Sequence, residues 1–175
     1  MSDDSIRKMT DSDLDMVLEW RNHIDVRKYM FTQHVISWVE HKSWYERCLK
    51  IPTKHLLVFQ LQGTPHGFIS FSQIEGGKIA DWGFYTAPIA PRGTGQLLGK
   101  EAINFAFTNL GLCKICGQAL SYNEKSINFH LRFGFQQEKI LRVQDLDERN
   151  ARTVICFGLL KNDWYMNQKG KVYVG

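Results

Sequence analysis

The segment Arg92-Gly93-Thr94-Gly95-Gln96 stands between a loop with two prolines, Ala87-Pro88-Ile89-Ala90-Pro91, and an apolar run with helical spacing. A helix N-terminus exposes backbone N–H groups that lack intrahelical partners, and glycines at 93 and 95 let a diphosphate approach them closely. The chemistry on offer is anion binding by main-chain amides. A lone G-x-G also occurs in ordinary loops, so its meaning depends on what surrounds it. A second reactive pair, Cys113 and Cys116, forms a C-x-x-C with no second pair and no neighbouring His. Lys114-Ile115-Cys116 reads as strand, and side chains three apart on a strand point to opposite faces, so the pair does not clamp a metal. No metal is expected, and all four cysteines, Cys48 and Cys156 included, read as reduced core residues.

The elements that must hold this loop follow from periodicity and punctuation. Residues 6–9 form a short opening strand, and Thr10 with Asp13 makes a capping-box start to a helix carrying Leu14, Val17, Leu18 and Trp20. Ser37-Trp38-Val39-Glu40 repeats the signal and opens a helix to about Leu49, with Trp38, His41, Trp44 or Tyr45, and Cys48 on one side. From His55 the period changes to that of strands: residues 55–61 and 67–72 pair antiparallel, and residues 79–86 add a third strand that the prolines end. The helix after the glycine loop turns Leu97, Leu98, Ala102, Phe105, Ala106 and Leu110 to the core and stops at Gly111. A strand at 114–120, a helix begun by Asn123 and closed by Gly134, and strands near 135–143 and 152–160 around a turn at 145–150 complete the chain.

With 175 residues, 43% of them hydrophobic, the chain supports one domain with a substantial core, spanning residues 6–165. The polar start and the lack of an apolar run near the ~20 residues of a membrane span point to a cytoplasmic protein without a membrane partner. A net charge of +4 suits attraction of a small phosphorylated ligand. It comes without a run of five Lys or Arg, and the aromatics lie in apolar periodic segments, so nucleic acid is not an expected partner.

Arg92-Gly93-Thr94-Gly95-Gln96 resembles the coenzyme A loop of the GCN5-related N-acetyltransferase (GNAT) superfamily. Asn123-x-x-Ser126-x-x-Phe129-His130-x-x-Phe133-Gly134-Phe135 is similar to that family's downstream helix signature, in the family's order. The resemblance implies an α/β fold with a mixed, mostly antiparallel sheet of about seven strands flanked by helices, splayed into a V between the fourth and fifth strands. It implies acetyl-CoA as co-substrate, held by Phe84, Tyr85, Thr86, Arg92, Gly93, Thr94, Gly95, Gln96, Leu97, Asn123, Ser126 and Phe129. Two residues depart from the pattern. Leu97 replaces the usual Gly or Ala. His130 stands where the family has the tyrosine that protonates the departing thiolate; an imidazole can donate that proton, and a packing histidine is the other reading.

Within the superfamily, Glu19-Trp20-Arg21-Asn22-His23, Tyr29-Met30-Phe31, Glu40-His41 and Asp81-Trp82-Gly83-Phe84-Tyr85 resemble the branch that makes pseudaminic acid precursors for flagellin and surface glycans. That resemblance implies acetylation of the 4-amino group of UDP-4-amino-4,6-dideoxy-N-acetyl-β-L-altrosamine. A UDP-sugar needs a cation for its diphosphate and apolar faces for uracil and sugar, which Arg21, Met30, Phe31, His41 and Tyr85 can supply. His41, Asp81 or water would take the proton of the attacking amine. The alternatives are a protein N-terminus or polyamine as acceptor, and a non-catalytic acyl-CoA-binding module. Trp164-Tyr165-Met166 could cover either the chain's own core or a neighbour in a homodimer.

Overall fold

The computed structural model describes residues 4–144 and 151–171, so the turn expected at 145–150 lies outside the described residues. Strands β1 (Asp4–Lys8), β2 (Lys54–Leu61), β3 (Thr64–Ile74), β4 (Ile79–Thr86), β5 (Lys114–Leu120), β6 (Gln136–Gln144) and β7 (Ala151–Leu160) form one sheet in the order β1-β2-β3-β4-β5-β7-β6. All neighbours are antiparallel except β4 and β5, which run parallel. Their pairing covers only Ile79 with Lys114, Ala80 with Ile115 and Asp81 with Cys116. Beyond these pairs β4 continues along β3 to Thr86, and β5 continues along β7 to Leu120. The sheet therefore opens into the expected V between its fourth and fifth strands.

Helices cover both faces: α1 (Leu14–Asn22), α2 (Ile24–Arg27), α3 (Trp38–Leu49), α4 (Thr94–Thr108), α5 (Glu124–Arg132) and α6 (Lys161–Lys171). Because side chains alternate along a strand, Leu56 and Val58 point to one face and Leu57 and Phe59 to the other. Leu57, Phe59, Ile69, Phe71 and Trp82 pack with Leu98, Ala102, Ile103 and Ala106 of α4 and with Trp164 of α6. Leu56, Val58 and Phe68 pack with Leu14, Val17 and Trp20 of α1 and with Tyr45 and Cys48 of α3. A strand covered on both sides loses the polar–apolar alternation, which is why residues 56–59 read as a continuous apolar run. Each such side chain contributes roughly 1.5–3 kcal/mol by leaving water.

Both capping boxes form. Ser37 Oγ accepts from the Glu40 N–H at 3.2 Å while a Glu40 carboxylate oxygen accepts from the Ser37 N–H at 2.9 Å. Those bonds, with His34, hold the Glu40 carboxyl near pKa 2. At Thr10 the box opens a single 3-10 turn, Asp11–Asp13, ahead of α1. Buried Asp13 also receives two 2.7 Å hydrogen bonds from the Arg7 guanidinium.

Several expected core positions differ. Leu97 is exposed, because α4 turns Leu98, Ala102, Ile103 and Ala106 inward. Trp38 is exposed at the start of α3, where His41, Tyr45 and Cys48 form the buried stripe. Cys113 is exposed and Cys116 half-buried, so only Cys48 and Cys156 are core cysteines, and all four are free thiols. Trp164 covers the chain's own core, its indole N–H donating to the Asn104 side chain at 2.9 Å.

Candidate active site

The loop after β4 is shaped by Gly93, whose φ of +93° is in the left-handed region that L side chains rarely adopt. Thr94 is buried and returns to Pro91 twice, through its N–H at 3.1 Å and its hydroxyl at 2.7 Å, which locks the turn. Gln96 and Leu97 donate their N–H groups to the Gly93 carbonyl. The N–H groups of Gly93 and Gly95 have no acceptor among the described residues, leaving a pair of donors at the start of a 15-residue helix. Thr86 ends β4 close by: a Cβ on Gly95 would lie 4.0 Å from its methyl group. The exposed Leu97 side chain leaves this backbone open.

Across the splay, Asn123 caps α5 by accepting the Ser126 N–H at 3.1 Å. Phe129 packs on Phe84 with the rings tilted by 35° and their centroids 4.6 Å apart, so the β4 arm and α5 meet through aromatic contact. Gly99 makes this possible, since a Cβ there would come within 2.5 Å of Phe129 and 2.8 Å of Phe133. A glycine inside a helical pattern is the one signal in the sequence that could have pointed to it.

His130 is 1% exposed and stacks on Phe157 with a 4.8 Å centroid separation. Its Nδ1 lies 2.7 Å from the Ser126 carbonyl, which can only accept, so Nδ1 carries the proton. Nε2 then has a free lone pair and accepts the Trp82 indole N–H at 3.2 Å. A Cβ on Gly117 would fall 2.4 Å from Nε2, so that glycine lets β5 pass. Burial among aromatic rings, opposed only by Ser126, pushes the His130 pKa down to about 4. As placed, the ring is neutral and its one N–H is committed to Ser126.

On the opposite face, Arg21, His41 and Tyr85 come together. Arg21 is close enough to lower the His41 pKa and to oppose the rise that burial causes in the Tyr85 phenol. Its Nη2 donates to the Thr32 carbonyl at 2.8 Å, while Nη1 is buried with no partner among the described residues. Arg27 likewise has a buried, unpartnered Nε. His41 is 4% exposed, stacks on Trp44 and has a buried Nε2 without a partner among the described residues. Burial is the main cause that lowers its pKa; the Leu14 backbone opposes it, and the Arg21 charge adds a smaller lowering. Unsatisfied buried donors carry a free-energy penalty that a ligand's acceptors would remove. Met30 is half-buried, its N–H donating to the Arg27 carbonyl at 3.0 Å, and Phe31 is 46% exposed. Asp81 is exposed at the last β4–β5 pair. Among the described residues, no group of three or more His, Cys, Asp or Glu side chains could hold a metal ion.

The arrangement is a cleft whose backbone edge is open on β4 beyond Asp81, with unpaired amides at the start of α4 at one end and the half-buried guanidinium groups of Arg21 and Arg27 at the α1 and α2 side. Residues 5–136 match the family model described as an acetyltransferase (GNAT) domain. The chain is 28% identical over 124 residues to "Acetyltransferase PseH" of Campylobacter jejuni subsp. jejuni serotype O:23/36, covering 70% of this chain and 76% of that one. It superposes with a TM-score of 0.82 on spermidine N-acetyltransferase from Vibrio cholerae in complex with CoA and spermine, at 20% identity, covering 93% of this chain and 98% of that one. Salmonella typhimurium yncA with its cofactor acetyl-CoA superposes with a TM-score of 0.68 at 18% identity, covering 90% and 93%.

Proposed function

Because the chain belongs to the acetyltransferase (GNAT) family and is an acetyl-CoA-dependent N-acetyltransferase, we propose that its acceptor is the 4-amino group of a UDP-4-amino-4,6-dideoxy sugar, UDP-4-amino-4,6-dideoxy-N-acetyl-β-L-altrosamine. The observation that carries this reading is the pair of buried, unpartnered guanidinium donors on Arg21 and Arg27. They suit a diphosphate, and they repel a polycation such as spermine, the molecule bound in the Vibrio cholerae relative. The similarity to the Campylobacter jejuni acetyltransferase named PseH supports the same branch. With that substrate, the product belongs to pseudaminic acid synthesis.

In this reading the pyrophosphate of acetyl-CoA rests on the amides of residues 92–96, Gly93 and Gly95 foremost. Its pantetheine arm fills the splay, where the open backbone of Phe84, Tyr85 and Thr86 pairs with the arm's amides and polarises the thioester carbonyl. Asn123, Ser126 and Phe129 form the facing wall. Arg21 holds the sugar nucleotide's diphosphate, and Met30, Phe31 and Tyr85 line the sugar and base. The free amine attacks the thioester carbon to give a tetrahedral intermediate, and His41, neutral because its pKa is lowered, takes the amine's proton on Nε2. Collapse expels the CoA thiolate. An ordinary thiol has a pKa near about 8.5, so the thiolate is a good leaving group and takes its proton from water. His130 sits at the position of the family's acid; with its N–H on Ser126, we assign it the support of the splay wall.

Inhibition by UDP, a fragment of the proposed acceptor, tests the acceptor class. UDP is expected to compete with the amine substrate and not with acetyl-CoA, and Arg21→Ala is expected to weaken UDP inhibition tenfold or more, the usual loss for a charged diphosphate contact. UDP without effect up to millimolar concentration would overturn the nucleotide-sugar assignment.

A further inference from the structure

Between α2 and α3, residues 28–36 have no helix or strand, yet side chains from both arms of the splay fasten their backbone. On the α1 side, Arg21 Nη2 donates to the Thr32 carbonyl at 2.8 Å and Arg27 Nη1 donates to the Gln33 carbonyl at 2.9 Å. On the far side, Tyr122 stands between β5 and the α5 cap. Its hydroxyl donates to the Lys28 carbonyl at 3.0 Å and accepts from Gln33 Nε2 at 2.8 Å, and its ring lies 6.2 Å from that of Tyr29. Arg152, on β7, donates through Nη1 to the Phe31 carbonyl at 2.6 Å. Since α1 packs on the β2–β4 arm while Tyr122 and Arg152 belong to the β5–β7 arm, the segment crosses the open part of the V on the α1 and α3 face.

We propose that residues 28–36 are a strap over the acceptor half of the cleft, and that Tyr122 and Arg152 are positioning residues that fix it and thereby fix the acceptor-binding guanidinium of Arg21. The physical link is Arg21 itself. One of its terminal nitrogens is bonded to the strap at Thr32 and the other is buried without a partner among the described residues, so the strap's position sets where that second donor points. The phosphate loop, at the other end of the cleft, has no bond to the strap. Loosening the latch therefore weakens the acceptor and leaves the coenzyme untouched. This role rests on the proposed reaction; the latch itself does not.

Tyr122→Phe keeps the ring beside Tyr29 and removes only the hydroxyl that holds Lys28 and Gln33. Trypsin cleaves after Arg27 and Lys28, at the foot of the strap. Cleavage of the native variant there is expected to rise about fivefold or more over wild type, the population change that the loss of these two hydrogen bonds gives, with acetyl-CoA affinity unchanged. With the UDP-4-amino sugar, the acceptor KM is expected to rise severalfold while kcat stays within about twofold, and Arg152→Gln is expected to do the same. Equal cleavage of wild type and Tyr122→Phe would overturn the latch whatever the acceptor is. Faster cleavage with an unchanged acceptor KM would overturn its positioning role. If the wild-type protein ignores the sugar, the proposed acceptor fails by that result alone, and the KM comparison is made with the amine it does acetylate.

Discussion

The Trp82 indole N–H on β4 donates to Nε2 of His130 on α5, and the same ring gives its only proton to the Ser126 carbonyl. This orientation admits only the neutral imidazole, because a proton on Nε2 would face the indole N–H. The bond ties the β4 arm to the helix on the far side of the splay, just past Asp81, where strand pairing ends.

A pH dependence of stability follows. The His130 pKa is about 4 in the folded chain and near about 6.5 when unfolded, so between these values the unfolded state binds more protons. The contribution is fully present above pH ~6.5 and is lost as pH falls through that window toward 4, up to about 3 kcal/mol in total. Urea unfolding from pH 7 to 4.5 is expected to show a steeper loss of stability in wild type than in His130→Asn. Equal slopes would contradict the buried neutral ring.

Gly99→Ala is expected to destabilise by about 1–3 kcal/mol, because the new methyl would press on Phe129 and Phe133, which are rings packed in the core and not flexible chain ends. Thermal unfolding measures it. As Phe129 also packs on Phe84, the variant is expected to lose acetyl-CoA turnover at temperatures where it is still folded.

Gly93→Ala forces a side chain onto φ +93°, at a position with nothing within 4 Å to clash, so the cost is in the backbone alone, roughly 1–2 kcal/mol. Calorimetry with acetyl-CoA is expected to show weaker binding as the loop shifts its amides, while binding of UDP at the Arg21 end is unaffected.

Much of this was legible in the sequence where the signal is local. Ser37 with Glu40 and Thr10 with Asp13 announced their helices, and the strands at 79–86 and 114–120 have the expected bounds, because caps, prolines and period are short-range properties. The glycine loop fell on a helix N-terminus for the same reason. Leu97 reads as core in the sequence because an apolar residue beside Leu98 fits either face until the first helical residue is known. The neutral state of His130 depends on Trp82, 48 residues away, and the strap depends on Tyr122 and Arg152, 94 and 121 residues from their partners. Helix α2 is one turn long and carries no period to read.

Thiol release from acetyl-CoA identifies the acceptor, measured with UDP-4-amino-4,6-dideoxy-N-acetyl-β-L-altrosamine, spermidine and an N-terminal peptide, for wild type and Arg21→Ala. Release is expected with the sugar nucleotide alone, with an acceptor KM raised tenfold or more in Arg21→Ala. Turnover of spermidine or the peptide without turnover of the sugar would contradict it.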